Sequence, residues 1–142
     1  MTMTVSTRTL TEQLLALIGA GDAEGVAALH ADHVDWKVNW PAAEFGRSET
    51  PWIRSRSTRA DIADLYRELG EYHVAGELGT EIERILVDGD DAVIMGEFRQ
   101  TAGATGRAYS SRFVMHVTFE DGLVIRNHMY EDSLAVAQAF AG

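Results

Sequence analysis

The sequence predicts an α+β domain in which helices pack on a strongly curved antiparallel or mixed sheet and enclose a cone-shaped hollow. Two patterns carry that reading. Apolar residues recur at helical spacing as far as Gly70, and beyond it strand alternation takes over, broken by short turns. Length is the third observation: 142 residues suit one core, so residues 1–142 are read as a single domain.

Leu10, Leu14, Leu17 and Ile18 mark a first amphipathic helix that stops at Gly19-Ala20-Gly21. Asp22 is a natural N-cap for a short second helix burying Val26 and Ala27, with Leu29 and His30 near its end. Apolar side chains at 34, 36, 38 and 40 then alternate as a strand, which Pro41 ends. From Pro41 to Ser57 there is no steady period, so this stretch reads as a long irregular connection. Thr58 and Asp61 make a capping-box-like start to a third helix, with Ile62, Leu65, Tyr66 and Leu69 on one stripe. Turn signals at Asp88-Gly89-Asp90, residues 103–106 and Asp121-Gly122 then delimit strands near 72–87, 91–102, 107–120 and 123–131. Connections this short require antiparallel hairpins. Asp132 caps a closing helical turn through Leu134, Val136, Ala137 and Phe140.

Composition narrows the partners. Twelve Lys and Arg against 22 Asp and Glu leave a formal charge of −10, which repels phosphate backbones and anionic lipid surfaces. Neither nucleic acid nor a membrane is an expected partner. The first residues lack the basic start and apolar block of a secretory leader, so the expected compartment is cytoplasmic. No cysteine is present for disulfide or thiolate chemistry. The five histidines, His30, His33, His73, His116 and His128, show no metal-ligand spacing, and no phosphate-binding glycine motif occurs. No metal and no cofactor are expected.

The opening "GAGDAEGVAALHADHVDW" and the ending "FVMHVTFEDGLVIRNHMYEDSLAVAQAF" resemble the corresponding parts of NTF2-like domains of the SnoaL-like polyketide-cyclase and ketosteroid-isomerase-like kind. The order of elements agrees over nearly the whole chain. The resemblance implies a cone-shaped barrel with a pocket for an apolar small molecule, and frequent pairing as a homodimer. It also implies a family that includes isomerases, aldol-type cyclases, epoxide-hydrolase-like enzymes and binding modules without turnover. A fold of this breadth does not assign the chemistry.

The resemblance places an acidic residue just before the tyrosine matching Tyr130, where this chain has Met129. Asn127 shares the parity of Met129, so an amide and a thioether stand in for the ionisable group. Glu97 and Arg99 leave one face of a strand, because they are two residues apart. They are candidates for a general acid or base and its orienting partner, lining the hollow; the alternative is an ion pair on the outer face. Asn39 is similar to the water-holding asparagine of epoxide-hydrolase-like relatives, but it alternates with Trp36 and Trp40, and only one set can face inward. His116 and His128 flank the Asp121-Gly122 turn almost symmetrically and share a face, either for acid/base use or as part of a polar dimer surface with Arg112, Arg126 and Tyr130. Tyr66, Tyr72 and Tyr109 can offer hydroxyls, while Met95, Phe98, Phe113 and Met115 supply apolar wall. Arg54, Arg56 and Arg59 form a basic cluster that is either solvated or a guide for an anionic ligand.

Three functions follow as expectations. The first is a cofactor-free cyclase or isomerase acting on an apolar small molecule, such as a polyketide-type intermediate, where holding reacting ends together lowers the barrier. The second is epoxide opening by Glu97, Arg99 and Asn39. The third is a ligand-binding or dimerising module without turnover.

Overall fold

The computed structural model describes residues 5–40 and 50–141. In chain order it runs α1 (Thr7–Gly19), α2 (Ala23–Ala28), β1 (His30–Val38), α3 (Arg59–Tyr72), β2 (Gly79–Asp88), β3 (Asp91–Thr101), β4 (Ala108–Glu120), β5 (Leu123–Glu131) and α4 (Ser133–Phe140). The five strands form one mixed sheet in the order β1-β5-β4-β3-β2, open between β1 and β2. The β2 to β5 pairs are antiparallel, as their turns require, whereas β1 pairs parallel to β5. Part of the expected 41–57 connection, residues 41–49, lies outside the described residues.

Each described helix starts on a side-chain cap. Ser6, Asp22, Thr58 and Asp132 accept from backbone N–H groups that have no partner within their own helix. At α3 the capping box is complete: Thr58 Oγ1 accepts from the Asp61 N–H, and Asp61 Oδ2 accepts from the Thr58 N–H at 3.0 Å. The helix runs two residues past Gly70, to Tyr72.

Leu10 and Leu14 of α1, Val26 of α2 and Ile62 of α3 pack on Ala92, Ile94, Phe113, Met115 and Val117 of the sheet. A second cluster joins Trp52, Ile53 and Leu65 to Ala102, Val136, Ala139 and Phe140. Trp52 is held in place by a buried clamp. Arg56 donates to the Trp52 carbonyl at 2.7 Å and to Glu68 at 2.6 Å, while Arg54 engages the same carboxylate at 2.7 Å. Arg59 reaches Asp32 and the His30 carbonyl. The cluster of three arginines therefore ties the segment before α3 to its neighbours.

Strand parity decides what faces the helices. On β3 the inward row is Ala92, Ile94, Gly96, Phe98 and Gln100; on β4 it is Tyr109, Ser111, Phe113, Met115 and Val117. Gly96 is required there, because a Cβ would lie 2.3 Å from the Glu81 carbonyl oxygen and 3.1 Å from the Phe113 ring. Asn127, Met129 and Glu131 continue the inward row on β5, and Trp36 and Val38 pair beside the first two on β1.

Candidate functional site

Between the helices and the inward face of the sheet lies a cavity of about 310 Å³. Leu15 and Ile18 of α1, Tyr66 and Leu69 of α3, and Phe98, Phe113, Met115 and Met129 of the sheet form most of its apolar wall. Trp52 and Val136 close it from the second cluster. A side chamber of about 70 Å³, sharing Tyr66, Met115, Met129 and Glu131, reaches Trp36 and Asn127.

Few polar groups meet this apolar space, and Glu131, His73, Tyr109 and Gln100 among them are held by hydrogen bonds. Glu131 ends the inward row of β5, where Trp40 Nε1 donates to its Oε1 at 2.7 Å. Asn39 secures the same residue through its backbone, accepting from the Glu131 N–H at 2.9 Å and donating to its carbonyl at 3.2 Å. Burial raises the Glu131 carboxyl above the ordinary carboxylate range; the Trp40 bond opposes this and the adjacent Asp132 charge adds to it.

His73 and Tyr109 line the same cavity. His73 Nδ1 donates to the Leu69 carbonyl at 2.7 Å, which leaves Nε2 of the neutral ring as an acceptor. The Tyr109 hydroxyl lies 2.6 Å from that Nε2 and 2.7 Å from the Gln100 amide oxygen. A phenol has one proton, so it donates to one of these neighbours at a time. Burial lowers His73 and raises Tyr109, chiefly by desolvating their charged forms, so both are neutral near pH 7. Tyr66 has no hydrogen-bond partner among the described residues, and burial pushes its phenol up to about 12. It remains a donor at any ordinary pH.

Several expected residues lie elsewhere. Glu97 and Arg99 belong to the outward row of β3 with Met95, so the structure takes all three out of the hollow. The reason is parity, since Ala92, Ile94, Gly96 and Phe98 occupy the inward row. Glu97 faces Arg112 on the outer surface at 3.9 Å, and Arg99 is exposed. Asn39 is separated from both and binds β5 backbone, so no Glu97–Arg99–Asn39 constellation forms.

His116 and His128 are direct cross-strand partners, their rings 6.1 Å apart, and they too lie on the outer face. His116 Nε2 is 2.8 Å from Asp91 Oδ1, and His128 Nε2 is 3.1 Å from Asp35 Oδ2, the latter too poorly aligned for a good hydrogen bond. Arg126 shares this face, 3.6 Å from the same Asp35.

Trp36, Tyr66, Phe113, Met115, Asn127 and Met129 do reach the cavity or its side chamber, while Trp40 supports Glu131 from beside it. Asn127 is buried and bonded to His30, whose Nε2 is 3.2 Å from its amide nitrogen. Sequence reasoning missed Glu131 and His73. The parity that groups Asn127 with Met129 extends one step further to Glu131, and that was the available signal. His73 had none, because its partner Tyr109 lies 36 residues away on another element.

The comparisons agree with this architecture. An NTF2-like protein from Burkholderia thailandensis superposes with a TM-score of 0.82 at 18% identity, over 98% of this chain and 100% of that one. A candidate isomerase from Rhodopseudomonas palustris gives 0.70 at 22%, over 96% and 98%. TerC, co-crystallised with polyporic acid, gives 0.75 at 17%, over 94% and 97%. At these identities the likeness is one of fold. No curated protein matches the sequence. Residues 11–127 match the family model of the SnoaL-like domain, from the first helix to the inward Asn127 of β5, and the chain belongs to that family.

Proposed function

We propose that this domain is a cofactor-independent isomerase or cyclase in which Glu131 moves a proton on an apolar carbonyl compound held in the cavity. The observation that supports it most is a partly buried carboxylate, raised by desolvation and oriented by Trp40, at the wall of an apolar space. A carboxyl raised towards neutrality is a stronger base when ionised than an ordinary one. The carboxylate would take a proton from carbon next to the substrate carbonyl, leaving an enolate whose oxygen accepts from Tyr66 or Tyr109. Returning the proton at another carbon isomerises the molecule. Attack of the enolate carbon on a second carbonyl of the same molecule closes a ring, with the new alkoxide protonated from Glu131. Nearly neutral tyrosines suit the donor role, because each stabilises the developing oxyanion without ionising first.

The test is α-proton exchange of 1-tetralone and 1-decalone in D2O, followed by NMR. The expected result is exchange above background that rises with pH until Glu131 is ionised. Glu131→Gln keeps the shape and the Trp40 contact, and should reduce exchange roughly 100-fold or more, with ligand affinity little changed. Exchange at the background rate with both ketones bound would instead favour a binding module without turnover.

The proposal includes a homodimer formed through the outer sheet face, supported by the alternating row of Arg112, His116, Arg126, His128 and Tyr130 on β4 and β5. Light scattering at micromolar concentration should give twice the chain mass, and a monomer throughout that range would remove this part of the reading.

A further inference from the structure

Six aromatic rings line the main cavity, those of Trp52, Tyr66, His73, Phe98, Tyr109 and Phe113. Glu131 is the one carboxylate among the described lining residues, and none of them is Lys or Arg. This inventory discriminates by charge. An anionic ligand would lose its water beside a carboxylate with no cation to meet it, which is costly. A positively charged ligand instead meets aromatic rings, whose π-systems attract cations, and a carboxylate with which it can pair.

We propose that the cavity binds a hydrophobic organic cation, a substituted or quaternary ammonium whose charge sits among these rings and pairs with ionised Glu131. The overall charge of −10 draws such a ligand towards the protein at long range. This inference goes beyond the proton-transfer reading. It uses the same cavity but does not require turnover.

Binding is then coupled to a proton. Burial favours the neutral Glu131 carboxyl, so a cation that needs the carboxylate must release that proton on entry. The other groups around Glu131 do not supply the same response. Trp40 does not titrate, and Tyr66 and Tyr109 stay protonated through the accessible range. Asp132 next in sequence adds a negative charge that favours the cation. Arg112 on the outer face is drawn to Glu83 and Glu97, at 3.6 and 3.9 Å. His73, also in the cavity wall, would repel a cation in acid once protonated, and that effect persists in the Glu131 variant whereas the one proposed does not.

Three probes of one shape and different charge test this: 4-(hydroxymethyl)phenyltrimethylammonium, the neutral 4-tert-butylbenzyl alcohol, and the anionic 4-tert-butylbenzoate. Dissociation constants are measured by calorimetry on the wild-type chain from roughly pH 5 to pH 8. The cation should bind most tightly at the upper end, and its Kd should fall about tenfold per pH unit until Glu131 is ionised. The alcohol should change by no more than about twofold. Glu131→Gln should remove the pH dependence and weaken the cation about tenfold or more while sparing the alcohol. A cation that binds no better than the alcohol at the upper pH overturns the proposal, as does a benzoate that binds best or a pH dependence that survives undiminished in Glu131→Gln. Should the variant fail to fold, the wild-type series decides alone. Loss of ketone exchange with cation binding intact would count against the catalytic reading only.

Discussion

Tyr66 and Tyr109 are both phenols at the cavity wall, yet their hydrogen-bond circumstances differ and so should their mutants. Tyr66 makes no hydrogen bond to the described residues, so Tyr66→Phe removes a donor from the cavity wall and little else. Ketone exchange should drop by about 10- to 1000-fold with KM nearly unchanged if this hydroxyl meets the enolate oxygen. Tyr109→Phe leaves His73 Nε2 and the Gln100 amide without their shared partner, so it should also lower unfolding stability by about 1–3 kcal/mol in urea titration. An unchanged urea midpoint would mean that water replaces the phenol. Which residues line the cavity was only partly legible in the sequence. Tyr66 could be placed by its helical stripe, and Trp36 and Met129 by the family resemblance, because parity says which residues share a face and not which face is inward. On β3 the answer was present in composition, since one row is Ala92, Ile94, Gly96 and Phe98 and the other carries Glu97 and Arg99. A charged pair beside an uninterrupted small and apolar row belongs outside.

Whole elements were more legible than faces, because caps and turns are local chemistry. The α3 capping box was visible as Thr58 and Asp61, and both of its hydrogen bonds form. Asp61→Ala removes the acceptor for the Ser57 and Thr58 N–H groups and should destabilise the domain by about 1 kcal/mol. Equilibrium denaturation would measure it, and a change of sign would show that the cap is strained. Two boundaries were not readable, each for a physical reason. β1 begins at His30 instead of Val34, because its pairing with β5 shifts register between His30 and Asp35, so alternation fails across the irregularity. β2 starts at Gly79 rather than near residue 72, because His73 bridges Ala102 and Gly76 turns the chain at φ +82°. Long-range pairing imposed both, and no local window contains it.

At the scale of the molecule, charge placement makes stability depend on pH in two opposing ways. Asp35, Asp61, Glu68 and Asp91 are held below their ordinary values, Asp35 foremost by the close His128 ring and the others foremost by hydrogen bonds from the Ser57 N–H, Arg54 and Thr118 respectively. Their contribution is present above the unfolded carboxylate pKa and is lost as pH falls through the folded values, so thermal stability should decline in acid. Buried His30 and His73, lowered by desolvation, act in the same direction just below the ordinary histidine value of 6.5. Glu131 has the reverse sign. Its raised folded pKa favours folding below the ordinary 4.5 and opposes it as pH rises through the folded value. Glu131→Gln should therefore raise Tm near pH 8 and leave it almost unchanged near pH 4. Equal shifts at both pH values in a thermal melt would mean that the carboxyl is not desolvated.

The parallel pairing of β1 with β5 also bears on how the chain acquires its working form during synthesis. Trp40, two residues past the end of β1, and the β5 carboxylate that it orients are 91 positions apart in sequence, and β1 and β5 are neighbours in the sheet. A nascent chain emerging from the ribosome can assemble its N-terminal helices and the hairpin of β2 and β3 from nearby residues, but β1 must wait for its strand partner. Until β5 emerges, Trp36 and Val38 have no sheet to pack against, and the cavity lacks the wall that carries Glu131. Glu131 therefore arrives with the strand that joins β1 to the rest of the sheet, so a partly made chain has neither the pocket nor the carboxyl within it.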